Sequence, residues 1–241
     1  MKSLQADLSN PIDLSIPLQA GHHNPNAFGI ADPEMKAFQV AGFIGKVSAG
    51  GPCNVEDISF SPHGNGTHTE CVGHISAERF TINHCLKRFW FRARLISLLP
   101  ESREEDAVIS KLQLLTALGD LTHTEAVIVR TLPNTTEKLQ QRYAGTNPAY
   151  FEPSALGWLR EQGVMHLLTD LPSVDKEDDG GLLAAHHSFW HFPENPRMAA
   201  TITELIFVDN RVPDGDYALN LMIAPFESDA SPSKPVLYPL I

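Results

Sequence analysis

Twelve consecutive residues, His63-Gly64-Asn65-Gly66-Thr67-His68-Thr69-Glu70-Cys71-Val72-Gly73-His74, hold three of the chain's eleven histidines and one carboxylate. Imidazole nitrogen and carboxylate oxygen are the usual ligands of zinc and neighbouring divalent metals. Gly64 and Gly66 let the backbone turn tightly, so that side chains close in sequence can converge on one point. His68 and Glu70 are two apart, and on an extended strand such residues share a face. They can reach one ion together. His74, four residues beyond Glu70, can stand beside that ion without binding it. His63 lies five residues before His68.

Two later segments carry the same residue types. Thr169 to Asp175 and the acidic stretch Asp178-Asp179-Gly180-Gly181 lead into the pair His186-His187. Asp170 and Asp175 read as caps of turns or of a helix. Glu204 sits inside the apolar run Ala200 to Val208. A carboxylate is costly to bury without a partner, so Glu204 either faces solvent or meets a cation. Other chemistries find less support. The chain has no Gly-x-Ser-x-Gly nucleophile turn and no His-Glu-x-x-His zinc helix. Gly64-Asn65-Gly66 lacks the third glycine of a dinucleotide-binding loop and leads into histidines instead of a helix.

The elements that must hold these side chains read as mixed. Pro11 to Leu18 alternates between prolines and suits an edge strand. Residues 19–36 form a long Gly-, Pro- and His-rich loop of the kind that carries function. Ile58-Ser59-Phe60-Ser61 alternates and runs into the histidine cluster, placing the cluster at the end of a strand where a rigid sheet can hold it. Phe89 to Leu99 reads as a strand, residues 106–118 as a helix, and Ala126 to Thr131 as a buried strand. Ser154 to Gly163 reads as a helix with a Ser N-cap after Pro153 and a closing glycine, followed by a strand over Val164 to Thr169. Ala200 to Val208 and Tyr217 to Ala224 supply two more strands, joined by a Pro213-Asp214-Gly215 turn. The expected fold is a single α/β domain over residues 1–241, with more strand than helix.

Composition narrows the partners. The net charge of -11 argues against nucleic acid, whose phosphates require a surplus of Lys and Arg. No apolar run approaches the length of a membrane span, and the N-terminus lacks the apolar stretch of a secretory signal. Three cysteines, Cys53, Cys71 and Cys85, are odd in number and without Cys-x-x-Cys spacing, which favours reduced thiols in a cytoplasmic protein. Cys71 reads as a small buried residue packed behind the cluster. A small-molecule substrate is the partner this leaves.

Gly66-Thr67-His68-Thr69-Glu70 with His74 resembles the His-x-Gly-Thr-His-x-Asp-x-x-x-His motif of the cyclase-like metal-dependent hydrolases, a family that includes bacterial kynurenine formamidases. The resemblance extends along nearly the whole chain. Ile12 to Leu18 is similar to the family's opening strand, and Thr169 to His187 to its second metal segment. Glu204 falls at a late glutamate, and Val212 to Tyr217 at the closing turn and strand. It implies a swivelling β/β/α fold, a homodimer or higher homo-oligomer, and one or two divalent ions, zinc first and manganese as the alternative. His63, His68, Glu70, His186 and Glu204 fall on ligand positions and His74 on that of the general acid/base. The implied activity is hydrolysis of a small amide, that of an arylformamidase of tryptophan catabolism. The alternatives are hydrolysis of a cyclic ester or amide, and a degenerate member that binds a ligand without turnover.

Three departures from the family pattern stand out. Its first histidine lies four residues before the second, a place taken here by Gly64. An inserted residue either bulges the strand and still aims His63 inward, or leaves that ligand missing. Glu70 replaces an aspartate and extends the carboxylate by about 1.5 Å. His186 and Glu204 are eighteen apart, longer than the family's spacing, and His191 to Pro196 reads as an insertion. The substrate pocket departs as well: the early loop offers Phe28 where formamidases carry a tryptophan.

Overall fold

The computed structural model describes residues 5–241; the first four residues of the expected 1–241 domain lie outside the described residues. Among the described residues, eight strands make up the main sheet: β1 (Ile12–Asp13), β2 (His68–Glu70), β3 (Trp90–Leu98), β4 (Ala126–Thr131), β5 (His166–Thr169), β6 (Thr201–Glu204), β7 (Gly215–Ile223) and β8 (Ala230–Pro239). Their order is β1-β8-β7-β3-β4-β5-β6-β2, and β2 pairs again with β8, so seven strands close into a ring with β1 added outside. The architecture is the expected single α/β domain with more strand than helix. Four helices matter for the site: α1 (Pro62–Asn65), α2 (Lys111–Leu118), α3 (Pro153–Glu161) and α4 (Ala184–Trp190).

Strands β3, β4, β5 and β6 pair in parallel, each with the next. The chain passes through α2, α3 and α4 in turn between them. Parallel strands covered on both faces read as continuous apolar runs, and β4 shows why. Its Ala126 and Ile128 join the core that also holds Phe91, Leu95, Leu168 and Leu219. Val127 and Val129 join the core that includes Leu114, Leu156, Phe189 and Trp190. One core fills the ring and the other lies under the helices.

Several elements differ from the sequence reading. The segment 106–118 is a strand, Asp106–Ile109, followed by α2. Ser110 stops the strand because its side chain accepts the Gln113 N–H while the Gln113 side chain accepts the Ser110 N–H, a reciprocal cap. Helix α3 starts at Pro153 with Glu152 as its N-cap, two residues before the expected cap at Ser154. Proline lacks an N–H to satisfy at that position. Strand β6 ends at Glu204 instead of Val208, since Leu205 turns left-handed with φ 54°. Glu56–Ser59 pairs only with Glu34–Ala37 in a separate two-stranded ribbon and is exposed throughout, so the ring strand β2 holds the cluster, not the preceding strand.

Candidate metal centre

Strand pairing assembles the centre. In the antiparallel β6–β2 pair, Glu204 lies opposite His68 and Ile202 opposite Glu70. Residues opposite one another share a face. On the other side, β8 places Ala230 opposite Glu70, and Asp229 stands just before it. Thr69 points the other way and bonds the Thr203 hydroxyl at 2.8 Å. His68, Glu70 and Glu204 are almost wholly buried. Helix α4 delivers His186, also buried, while its neighbour His187 turns away and bonds the Phe192 carbonyl.

His63 joins them, and the route settles the shifted spacing. Strand β2 keeps unbroken register with β6 and β8 over His68–Glu70, and His63 lies ahead of it in the single-turn α1. A Cβ at Gly64 would lie 2.3 Å from Ile30 Cδ1 and 3.0 Å from the Ala27 carbonyl. Position 64 is thus packed beneath the early loop, and the His63 ring centre lies 5.2 Å from that of His68 and 4.5 Å from that of His74. His74 ends a helical turn, Val72–His74, immediately after β2. All six sequence-selected residues therefore meet in one place.

Most of these histidines have one nitrogen held by an acceptor away from the centre. His68 Nδ1 lies 3.0 Å from the Gly66 carbonyl, leaving Nε2 3.3 Å from Glu204 Oε2. His186 Nδ1 lies 2.5 Å from Asp175 Oδ2, leaving Nε2 3.1 Å from Glu70 Oε1 and 3.9 Å from Glu204 Oε1. His63 Nε2 lies 2.8 Å from Asp229 Oδ2, leaving Nδ1 3.1 Å from Glu70 Oε2. Metal-binding histidines are oriented in this way, by an acceptor on the second nitrogen. Glu204 Oε1 also accepts the Val174 N–H at 2.9 Å.

Burial alone would push His186 below its ordinary value of 6.5, but hydrogen bonds to Asp175 and Glu70 raise it to about 10. For His63 burial is likewise overcome, by Asp229 and Glu70, again to about 10. Burial would raise Glu70, yet the His74 charge, the bond from His186 and the nearby His63 ring hold it well below the ordinary carboxylate range. Carboxylates here demand positive charge, which imidazolium protons or a cation can supply. Two buried atoms have no hydrogen-bond partner among the described residues at the centre, His68 Nε2 and Glu70 Oε2. A buried polar atom left unpaired is costly, and both face the other donors. Two three-residue groups each bring one ligand atom per residue within 4.8 Å, His63-Glu70-His74 and His68-Glu70-Glu204, with Glu70 common to both. The nitrogen and oxygen donors fit a divalent metal such as zinc or manganese.

Sequence reasoning missed Asp229 and gave Asp175 only part of its work. Asp175 does cap α4, accepting the Ala185 and His186 N–H groups, and it also holds the His186 ring. Asp170 caps nothing; it is buried and accepts the Thr131 N–H and the Lys138 ammonium at the ends of β4 and β5. Asp229 follows a run of Glu, Ser and Pro that looks like a surface loop. Its only sequence signal is the β8 pattern after it, which Pro232, Pro235 and Pro239 obscure.

A strand ring with parallel helical crossovers, carrying a buried His/carboxylate centre, defines a class, and the match in sequence agrees with it. Residues 7–176 match the family described as "Putative cyclase", and the chain belongs to that family. A kynurenine formamidase of Bacillus cytotoxicus is 38% identical over 84 residues, or 34% of this chain and 36% of the relative; the match thus spans about a third of that relative's length. Isatin hydrolase A from Ralstonia solanacearum superposes with a TM-score of 0.68 at 13% identity, covering 95% of this chain and 92% of that one. The structure described as a potential metal-dependent hydrolase with cyclase activity gives a TM-score of 0.66 at 14% identity, covering 95% and 97%. At such identities the likeness concerns the fold.

Proposed function

We propose that this chain is a metal-dependent hydrolase of a small amide, with an aryl formamide as its first substrate class. The observation that carries the reading is a pair of buried atoms without a hydrogen bond among the described residues: His68 Nε2, which faces Glu204 Oε2 at 3.3 Å, and Glu70 Oε2, which faces the Nδ1 atoms of His63 and His74 at 3.1 and 3.7 Å. His68, Glu70, His186 and Glu204 would hold one ion, and His63 with the shared Glu70 would serve a second. When bound, such an ion polarises a carbonyl and lowers the pKa of water toward neutrality. The chain's own residues do the rest. Asp175 and the Gly66 carbonyl orient the His186 and His68 rings. His74, partly exposed at the rim of the centre, carries a proton to the leaving nitrogen as the amide bond breaks. The formamidase match supports the formamide class, and Phe28, 50% exposed, is the aromatic that the early loop offers an aryl group.

The test pairs metal analysis with a substrate screen. Protein purified without chelator is expected to carry about one or two divalent ions per chain and to hydrolyse aryl formamides. A preference for cyclic amides or lactones would keep the hydrolase class and replace the substrate. Substoichiometric metal, with zinc, manganese, cobalt and nickel all failing to give hydrolysis, would leave a ligand-binding protein without turnover.

A further inference from the structure

One carboxylate oxygen serves two rings. Asp229 Oδ2 lies 2.8 Å from His63 Nε2 and 3.2 Å from His74 Nδ1. Asp229 is itself fixed: its carbonyl accepts the Cys71 N–H, and the Ser228 hydroxyl donates to its other carboxylate oxygen at 3.1 Å. Cys71 directly follows Glu70, so the clamp is tied to β2. An ionised carboxylate only accepts hydrogen bonds, so each of these two ring nitrogens must carry the proton. The remaining nitrogens then differ in place. His63 is left with Nδ1, 3.1 Å from Glu70 Oε2 and facing the centre. His74 is left with Nε2, which has no protein partner among the described residues, on a side chain 27% exposed.

We propose that Asp229 is a positioning residue that fixes opposite tautomers on His63 and His74, turning the first ring toward the metal and reserving the second for proton transfer. The assignment rests on the hydrolase reading above and deepens it. It also decides between two uses of His74, because His74 Nδ1 lies only 3.7 Å from Glu70 Oε2 and could otherwise serve as a ligand. A histidine whose second nitrogen is held by a carboxylate presents its free nitrogen as a base in a fixed direction.

Long-range proton–nitrogen spectra of zinc-loaded protein labelled with nitrogen-15 histidine read the tautomers directly. His63 is expected protonated at Nε2 and His74 at Nδ1. In Asp229→Ala, His74 should move to the Nε2–H form while His186, held by Asp175, stays unchanged. Asp229→Asn keeps an acceptor oxygen and the side-chain shape, and should retain the wild-type pattern. A wild-type His74 protonated at Nε2, or tautomers indifferent to Asp229→Ala, overturns the proposal. Expected tautomers without turnover of any amide would instead overturn the hydrolase reading alone. Should the chain take up no zinc, the same spectra of metal-free protein still decide. Asp229→Ala must then shift the His63 Nε2 and His74 Nδ1 resonances and leave His186 in place; the absence of that shift overturns the proposal.

Discussion

At the scale of single residues, the centre divides its histidines by what lies behind each ring. His68 is backed by a carbonyl and faces Glu204 with an unpaired nitrogen. His68→Ala is expected to remove metal binding, read by metal analysis of the purified variant. His74→Ala should keep its metal and lose turnover by about 10²- to 10⁴-fold, the usual contribution of a positioned acid/base. Equal metal loss in both variants would make His74 a ligand. His166 tests a different effect, far from ligation. It is buried against Phe91, with Nδ1 2.8 Å from the Thr201 hydroxyl. Burial pushes it from 6.5 down to about 3. Folded His166 therefore stays neutral over a range in which the unfolded chain takes up a proton. Its contribution to stability is complete above pH 6.5 and is lost as pH falls toward 3, by up to about 1.4 kcal/mol per pH unit. Urea unfolding of His166→Gln from pH 7 to pH 4 should show a shallower loss than wild type; parallel curves would contradict this.

At the scale of elements, the centre depends on short pieces that hold each side chain at its angle. Gly73 lies within the turn that carries His74, and a Cβ there would sit 2.1 Å from the Phe80 carbonyl. That neighbour is backbone and cannot swing aside, so Gly73→Ala must displace the turn. The variant should lose about 1–3 kcal/mol of stability, the range for overpacking, and turnover should fall while metal content holds. Chemical unfolding, assay and metal analysis together check this. The same pieces explain what the sequence could show. His68 and Glu70 were legible because the two-residue repeat of a strand fixes their shared face. The buried parallel strand β4 was legible from its unbroken apolar run. Strand β8 was not, because three prolines remove ladder donors and imitate a loop, and Asp229 was lost with it. The helical turn that aims His63 depends on packing of position 64 against Ile30 and Ala27, contacts remote from any local pattern. Glu204 could be suspected from its apolar run. Its place opposite His68 is a matter of register, which only the assembled sheet supplies.

At the scale of the molecule, four carboxylates, Glu70, Asp175, Glu204 and Asp229, surround one centre in a chain of net charge -11. They come from β2, the loop before α4, the end of β6 and the approach to β8, so charge balance at one point couples parts of the fold far apart in sequence. Without a cation, His63 and His186 supply the balance as imidazolium. Their values, raised from 6.5 to about 10, mean that this contribution is complete below about pH 6.5 and is lost as pH rises through 10. A metal must displace those protons, so its affinity grows with pH across the same interval. Zinc should therefore stabilise the fold more at pH 9 than at pH 6. With free zinc at about a thousand times its Kd, linkage gives about 4 kcal/mol, which for a chain of this size raises Tm by roughly 8–16 °C. Thermal unfolding of metal-free and zinc-loaded protein at the two pH values measures the difference. The gap should widen with pH in wild type and shrink to nearly nothing in His68→Ala. An equal zinc effect at both pH values would show that the bound ion displaces no histidine protons, and that the two rings and the metal do not compete for the same nitrogens.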